Sequence, residues 1–298
     1  LNINDPNTIV SQALDSLLGD LHGVAGYQAR SFENIYSNYP KLENSKGFSG
    51  TVICAGTGFG KTKSFYTPAF LGVVEDIEKN AKPFTKVLAI YPRNVLLADQ
   101  ISEAISQASQ LKELLKQRSL RQITFGALLG DTPYNSRSFA KAWKTKGKLG
   151  HICPFIKSTK TGQKSDLIWK NEDQEKNIQQ LFRLSDVGAE LEIPPEVIRL
   201  TRESIQETPP DFLFLSLEML PRILGDKSWQ KALGISSWNK PKLLLLDEVH
   251  SYSELKGAQA AWIVNRLKSS LGTRALHVVG LSATLKNAET HLSTLTGL

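Results

Sequence analysis

The sequence predicts an α/β fold, a parallel sheet covered by helices on both faces, and three observations predict it. Phe212-Leu-Phe-Leu-Ser216 and Leu243-Leu-Leu-Leu246 are apolar at nearly every position, as strands are when neither face meets water. Such runs alternate with segments of helical periodicity, and helices between parallel strands cover both sheet faces. A glycine-rich loop, Ala55-Gly-Thr-Gly-Phe-Gly-Lys-Thr62, joins the first strand to the helix after it, as a phosphate-binding loop does. Right-handed crossovers then bring every strand's C-terminal end to one edge of the sheet, where ligands bind.

In order, residues 8–18 place Ile9, Val10, Ala13, Leu14, Leu17 and Leu18 on one helical face, and a second helix is expected near 28–37. The first strand is read at 51–54 and the following helix at 61–79, with Pro68 predicting a kink or restart. Lys86 to Tyr91 reads as the second strand, stopped by Pro92. Residues 94–117 carry apolar positions at helical spacing, among them Val95, Leu96, Ile101, Ala104, Ile105, Leu111 and Leu114. Ile123 to Leu129 is the third strand and ends at the turn Gly130-Asp131-Thr132-Pro133. The remaining strands are 212–216, 243–246 and 275–281. From about 138 to 208 the strand–helix rhythm lapses. This stretch is expected to be a Lys-rich, largely helical insertion, with helices at 172–184 and 194–206 around a Pro-Pro turn. Residues 137–170 hold nine basic residues against one acid, Asp166, which makes either a solvated surface or a polyanion contact.

The loop carries the chemistry. Glycines let successive N–H groups of Thr57, Gly58, Phe59 and Gly60 converge on phosphate oxygens, and the helix N-terminus adds positive potential. Lys61 would reach the β- and γ-phosphates of ATP, and the Thr62 hydroxyl would sit on Mg2+. Asp247 and Glu248 follow a buried strand directly. Asp247 would take the metal, and Glu248 would orient and deprotonate the attacking water. His250, Ser282 and Thr284 also follow strands, placed to sense the γ-phosphate. His22, His151, His277 and His291 show no metal-ligand spacing and are read as structural.

The chain has 298 residues, enough for a sizeable core, and a net charge of +7 that permits a polyanionic partner. Its apolar runs are no longer than a strand, so no membrane span is expected. The first residues show neither a basic leader nor an initiator Met, so the chain reads as a piece of a longer protein. Two cysteines, Cys54 and Cys153, fit a reducing, cytoplasmic setting, with Cys54 expected to be buried in its strand.

The segments Ala55–Thr62, Asp247-Glu-Val-His250 and Ser282-Ala-Thr284 resemble motifs I, II and III of superfamily 2 helicases. Tyr91-Pro-Arg-Asn-Val-Leu-Leu-Ala-Asp-Gln100 resembles motif Ia, and Gly130-Asp-Thr-Pro-Tyr-Asn-Ser-Arg137 resembles the Gly-Asp-Thr…Arg element of DNA-type members. Phe214 to Leu220 is similar to their motif Ib region, and Gln28 to their adenine-reading Gln. The segment from His250 to Gly257 resembles the Lhr-type and MrfA-type bacterial DNA helicases, some of which act in repair or anti-phage defence. The resemblance implies a RecA-like P-loop domain over residues 41–298, preceded by a helical segment at 1–40. It implies ATP and Mg2+ as cofactors and a single-stranded DNA track lined by Pro92, Arg93, Asn94, Gly130, Asp131 and Arg137. It also implies a second RecA-like domain in the full-length protein, outside this chain, along with defence or repair partners. Without that domain's arginine fingers the fragment is expected to hydrolyse ATP poorly. The alternatives are an ATP-binding scaffold that unwinds nothing, and an RNA helicase.

Overall fold

The computed structural model describes residues 5–19, 26–40, 47–56, 61–139, 142–160, 164–186, 188–235, 237–272, 275–283 and 287–298. Its strands are β1 (Phe48–Cys54), β2 (Val87–Tyr91), β3 (Phe125–Leu128), β4 (Gly150–Ser158), β5 (Ser165–Lys170), β6 (Leu181–Ser185), β7 (Gly188–Ile193), β8 (Ile198–Arg199), β9 (Phe212–Ser216), β10 (Leu243–Leu246) and β11 (Leu276–Ser282). Its helices are α1 (Ile9–Leu18), α2 (Gly26–Asn38), α3 (Lys61–Lys79), α4 (Asn94–Ala108), α5 (Lys112–Gln117), α6 (Asn171–Glu175), α7 (Arg202–Glu207), α8 (Met219–Leu224), α9 (Glu254–Leu271) and α10 (Ala288–Thr296).

Seven strands form one sheet in the order β1-β11-β10-β2-β9-β3-β8, and every pairing is parallel. Side chains alternate between sheet faces, so an unbroken apolar strand feeds two cores at once. Leu243 and Leu245 enter the core under α1 to α5, whereas Leu244 and Leu246 enter the one under α7 to α10. β2 and β9 divide in the same way, Ala89 and Phe214 to one side, Leu88 and Leu213 to the other. Burying each such side chain contributes about 1.5–3 kcal/mol. This is why the sequence spends almost no polar residue on these strands, Ser216 at the end of β9 being the exception among β9 and β10.

Several local expectations are adjusted. Pro68 lies inside α3 without ending it. The predicted helix over 94–117 runs as α4, a single 3-10 turn at Ser109–Leu111, then α5. Cys54 is exposed rather than buried, because β1 is an edge strand paired only with β11. Cys153 is buried, and burial pushes its thiol up to about 12, so it stays protonated. His277 is enclosed between the Ser49 and Thr51 hydroxyls, and burial draws its pKa down to about 4.

The largest correction concerns the insertion, which is not largely helical. Residues 150–193 hold a second sheet, antiparallel, in the order β4-β5-β6-β7. Only Asn171–Glu175 and Arg202–Glu207 are helical within the two segments expected to be helices. Pro194 and Pro195 forbid a helix before 196, since the residue ahead of a proline is pushed out of the helical region. Cross-strand partners settle the rest: Arg183 stands opposite Glu190 and binds it at 2.6 Å. Strands β4 and β5 pair through Lys157 with Asp166 and Ser158 with Ser165, and Lys164 ties this end to Asp99 of α4 at 2.6 Å. No described helix is long and apolar enough to cross a membrane.

Candidate functional site

Parallel pairing sets the geometry. Cys54 stands opposite Ser282 in the β1–β11 register, and the Ala55 N–H continues the ladder by donating to the Ser282 carbonyl at 3.4 Å. Thr57, Gly58, Phe59 and Gly60 lie outside the described residues, as does Thr284. On the far side of the loop, Lys61 opens α3 and its ammonium donates to the same Ser282 carbonyl at 3.3 Å. Thr62 follows in the first helical turn, half-buried. Two residues 221 apart in sequence therefore meet at one carbonyl oxygen.

Asp247 leaves β10 with its N–H still bonded to the Ile90 carbonyl of β2 at 3.1 Å. Glu248 then adopts a left-handed conformation, φ 50° and ψ 46°, which costs a residue with a Cβ on the order of 1 kcal/mol. That twist lets the Glu248 N–H donate to Asp247 Oδ1 at 2.9 Å. It also turns the chain into Val249–Ser251, bringing His250 Nδ1 within 3.2 Å of both Glu248 Oε2 and Ser282 Oγ. Lys61, Glu248, His250 and Ser282 thus form one connected cluster beside Asp247.

Burial pushes the Asp247 carboxyl up to about 6, and the neighbouring Glu248 charge adds to it, against the Glu248 N–H and the Lys61 ammonium. Two half-buried carboxylates crowded together favour a cation. This pair suits a hard cation that keeps most of its oxygen ligands as water or phosphate. Among the described residues no cluster of three or more His, Cys, Asp or Glu side chains forms a self-sufficient metal cage.

Gln28 is half-buried in α2. Its neighbours Tyr27 and Arg30 line a cavity of about 560 Å3 with Thr51 to Cys54 of β1 and the start of α10. The cavity therefore flanks the strand that feeds the phosphate loop.

The remaining predicted residues sit on the other half of the same edge. Arg93 and Asn94 are exposed after β2, with Pro92 half-buried before them. Gly130 and Asp131 follow β3, which is two strand spacings away, about 10 Å. Arg137 is exposed beyond them. The structure brings Lys61, Asp247, Glu248, His250 and Ser282 together. It places the Arg93 and Gly130 loops beside that group rather than in it.

Several residues here were not singled out from sequence. Arg202 donates to the carbonyls of Leu129, Gly130 and Thr132, and Trp143 Nε1 donates to that of Asp131 at 2.8 Å, so both ends of the insertion brace the loop after β3. Tyr134 is held on that loop and is 58% exposed. The Tyr66 hydroxyl of α3 bonds the Tyr91 hydroxyl at 2.7 Å, joining the phosphate-loop helix to the residue before Pro92. Tyr252, which follows the acid pair, is buried with its hydroxyl unbonded among the described residues. Only Tyr134, an aromatic in a proline turn, carried a local signal.

Residues 170–291 match the DEAD/DEAH box helicase family. Druantia protein DruE of Escherichia coli strain UMEA 4076-1 is 25% identical over 84% of this chain, which spans 16% of that relative's length. Among solved structures, the Mycobacterium smegmatis helicase Lhr bound to ssDNA and AMP-PNP is 19% identical, with a TM-score of 0.56 over 96% of this chain and 26% of its own. The DUF1998 helicase MrfA bound to DNA is 14% identical, with a TM-score of 0.57 over 97% of this chain and 27% of its own. At these identities the two structures establish the fold, that of a RecA-like helicase domain.

Proposed function

We propose, from the premise that this chain carries a DEAD/DEAH-box helicase domain, that it is the first motor domain of an ATP-dependent DNA translocase or helicase. The observation that carries the reading is the cluster at Ser282, where Lys61 of the phosphate-loop helix meets the turn that follows the acid pair. In this reading Lys61 binds the β- and γ-phosphates, while Thr62 and Asp247 hold Mg2+. The bound cation would neutralise charge on the phosphate oxygens. Glu248 orients the attacking water and accepts its proton. The polar cavity between α2 and α10 takes the base, and Gln28 lies on the same helix as the wall residues Tyr27 and Arg30.

The sheet edge divides the labour. Its β1, β11 and β10 ends hold nucleotide, while the β2 and β3 ends present Arg93, Asn94, Gly130, Asp131 and Arg137 to a single strand's phosphates. Tyr134 offers a face on which a base can stack. Two routes connect the halves: His250 and Ser282, and the Tyr66–Tyr91 bond that ends at Pro92. A second RecA-like domain in the full-length protein would close over the nucleotide, and repeated closure would ratchet the strand. The likeness to DruE supports a place in a defence system.

Steady-state ATP hydrolysis by the full-length protein, with and without single-stranded DNA, tests this. Stimulation by DNA is expected. Absence of hydrolysis in both conditions would mark an ATP-binding scaffold, and stimulation by RNA alone would mark an RNA helicase.

A further inference from the structure

We infer that the turn carrying Lys144, Lys146 and Lys148 grips the phosphate backbone of single-stranded DNA and extends the track past the loop after β3. The inference rests on the DNA-motor reading above. Its starting point is that the insertion's lysines are not alike. Lys157 pairs with Asp166 at 2.6 Å, Lys164 with Asp99 at 2.6 Å, and Lys170 lies 3.8 Å from Glu172. Lys144, Lys146 and Lys148 are exposed and have no acidic partner among the described residues.

A lysine loop that serves only solubility needs no support, yet this one is firmly built. Thr145 bridges His151, the Lys146 N–H donates to the Gly150 carbonyl at 2.8 Å, and the Ile152 N–H donates to that of Lys144 at 2.9 Å. Asn171 Nδ2 donates to the Lys148 carbonyl at 3.1 Å. Gly147 turns the chain at φ +63°, and a Cβ on Gly150 would collide with the Trp169 carbonyl oxygen. Beneath the turn, His151 stacks on Phe139 at 4.2 Å, and Trp143 meets the same ring edge-on. The chain thus presents three cations from a stiff base, which lowers the entropy lost when they bind.

Position supplies the second argument. Trp143, the residue before Lys144, donates to the Asp131 carbonyl, so the turn is fastened to the loop that follows β3. Arg202 fastens that loop from the other side. The three lysines therefore lie on the C-terminal edge, beyond Gly130 and Asp131 when counted from Arg93. The β4–β5 hairpin carries Lys157 and Lys164 to its other end, over α4, roughly 27 Å along an eight-step strand, while Lys170 stays level with Gly150.

Chemistry selects the partner. The turn offers Lys, Thr and Gly with no exposed apolar side chain, and lysine is depleted from protein interfaces whose centres are apolar and aromatic. Mobile point charges with no bidentate fork suit phosphodiester oxygens, read without regard to base. A DNA strand leaving the Arg93 and Gly130 loops would meet this basic edge next.

The test measures binding of a fluorescent single-stranded oligo(dT) to the full-length protein across a salt series. Three neutralised phosphate contacts on a single strand change the slope of log K against log salt by about 2. The variant K144Q/K146Q/K148Q should lose that much slope and bind roughly 30- to 100-fold more weakly near 0.1 M salt. The variant K157Q/K160Q/K164Q removes the same charge from the far end of the same insertion and should keep the wild-type slope. K144R/K146R/K148R should keep both slope and affinity, and an unchanged melting temperature shows that each variant is folded. Equal losses in both glutamine variants, or none in K144Q/K146Q/K148Q while wild type binds, would overturn the inference. No binding by wild type would instead sink the DNA-motor reading beneath it.

Discussion

Glu248→Gln should lower ATP turnover by about 10²–10⁴-fold, the usual contribution of a positioned general base, while leaving the nucleotide bound. The side chain keeps its shape, and its amide oxygen can still meet His250 Nδ1, which lies 3.2 Å from Glu248 Oε2. What disappears is the acceptor for the water's proton. Removing the Glu248 charge also relieves Asp247, whose carboxyl it helps to push up to about 6. Asp247, the carboxylate placed on the cation, is unchanged and more readily ionised, so the larger part of the loss should fall on the chemical step. Single-turnover hydrolysis by the full-length protein with single-stranded DNA reads it directly. Turnover close to wild type would show that Glu248 is not the base.

Asp211→Asn should cost about 3–5 kcal/mol of stability, because it strands a buried cation. Asp211 precedes β9 at the edge opposite the site, and neither its side chain nor that of Lys86 meets solvent. Lys86 Nζ donates to Asp211 Oδ1 at 2.7 Å, and the Arg121 fork donates to both carboxylate oxygens at 2.6 and 2.8 Å. The Thr124 N–H and hydroxyl add two bonds at 2.9 Å to Oδ2. The Asp211 carbonyl meanwhile takes the Lys86 and Val87 N–H groups at 2.9 Å, so one residue joins the starts of β2, β3 and β9. An amide keeps the volume but offers no charge to Lys86, whose ammonium burial already disfavours. At about 1.6 °C per kcal/mol in a chain of this size, the melting temperature should fall by roughly 5–8 °C.

The same cluster sets an acid limit. Burial alone would raise the Asp211 pKa, but the Lys86 and Arg121 cations outweigh it and hold the carboxyl at about 2, below its ordinary 3.8. A carboxylate with a depressed folded pKa stabilises fully above its unfolded value, and this contribution fades as pH falls through the folded one. The gap between wild type and Asp211→Asn should therefore be widest near neutral pH and narrow between about pH 4 and pH 2. Thermal melts across that range check both size and direction. A variant that melts with wild type at pH 7, or a gap indifferent to acid, would refute the ion-cluster account.

The central sheet was legible because burial on two faces leaves a composition no other arrangement tolerates. Leu243 to Leu246 could be assigned without any neighbour in view, and so could the edge they share with Lys61. The insertion was not legible, since β6 and β7 owe their pairing to partners such as Arg183 and Glu190 rather than to an apolar rhythm. Cys54 was misplaced because a strand run does not reveal that its strand lies at the sheet's edge. For the site, the residue types and their order along the chain were readable. The left-handed Glu248 and the shared Ser282 carbonyl were not, being properties of how β10 and β11 end. Arg202, some 70 residues from the carbonyls it braces, left no local trace at all.

The most direct measurement is the affinity for a non-hydrolysable ATP analogue, titrated calorimetrically against wild type, Lys61→Ala and Asp247→Asn, with Mg2+ and after its removal by EDTA. If Lys61 and Asp247 serve one nucleotide–metal site, each substitution should weaken Mg2+-dependent binding by about 10- to 100-fold, the worth of a charge-assisted contact. Without Mg2+ the Asp247→Asn penalty should vanish while the Lys61→Ala penalty remains. Wild-type affinity in both variants, or an Asp247 penalty indifferent to the metal, would contradict the site.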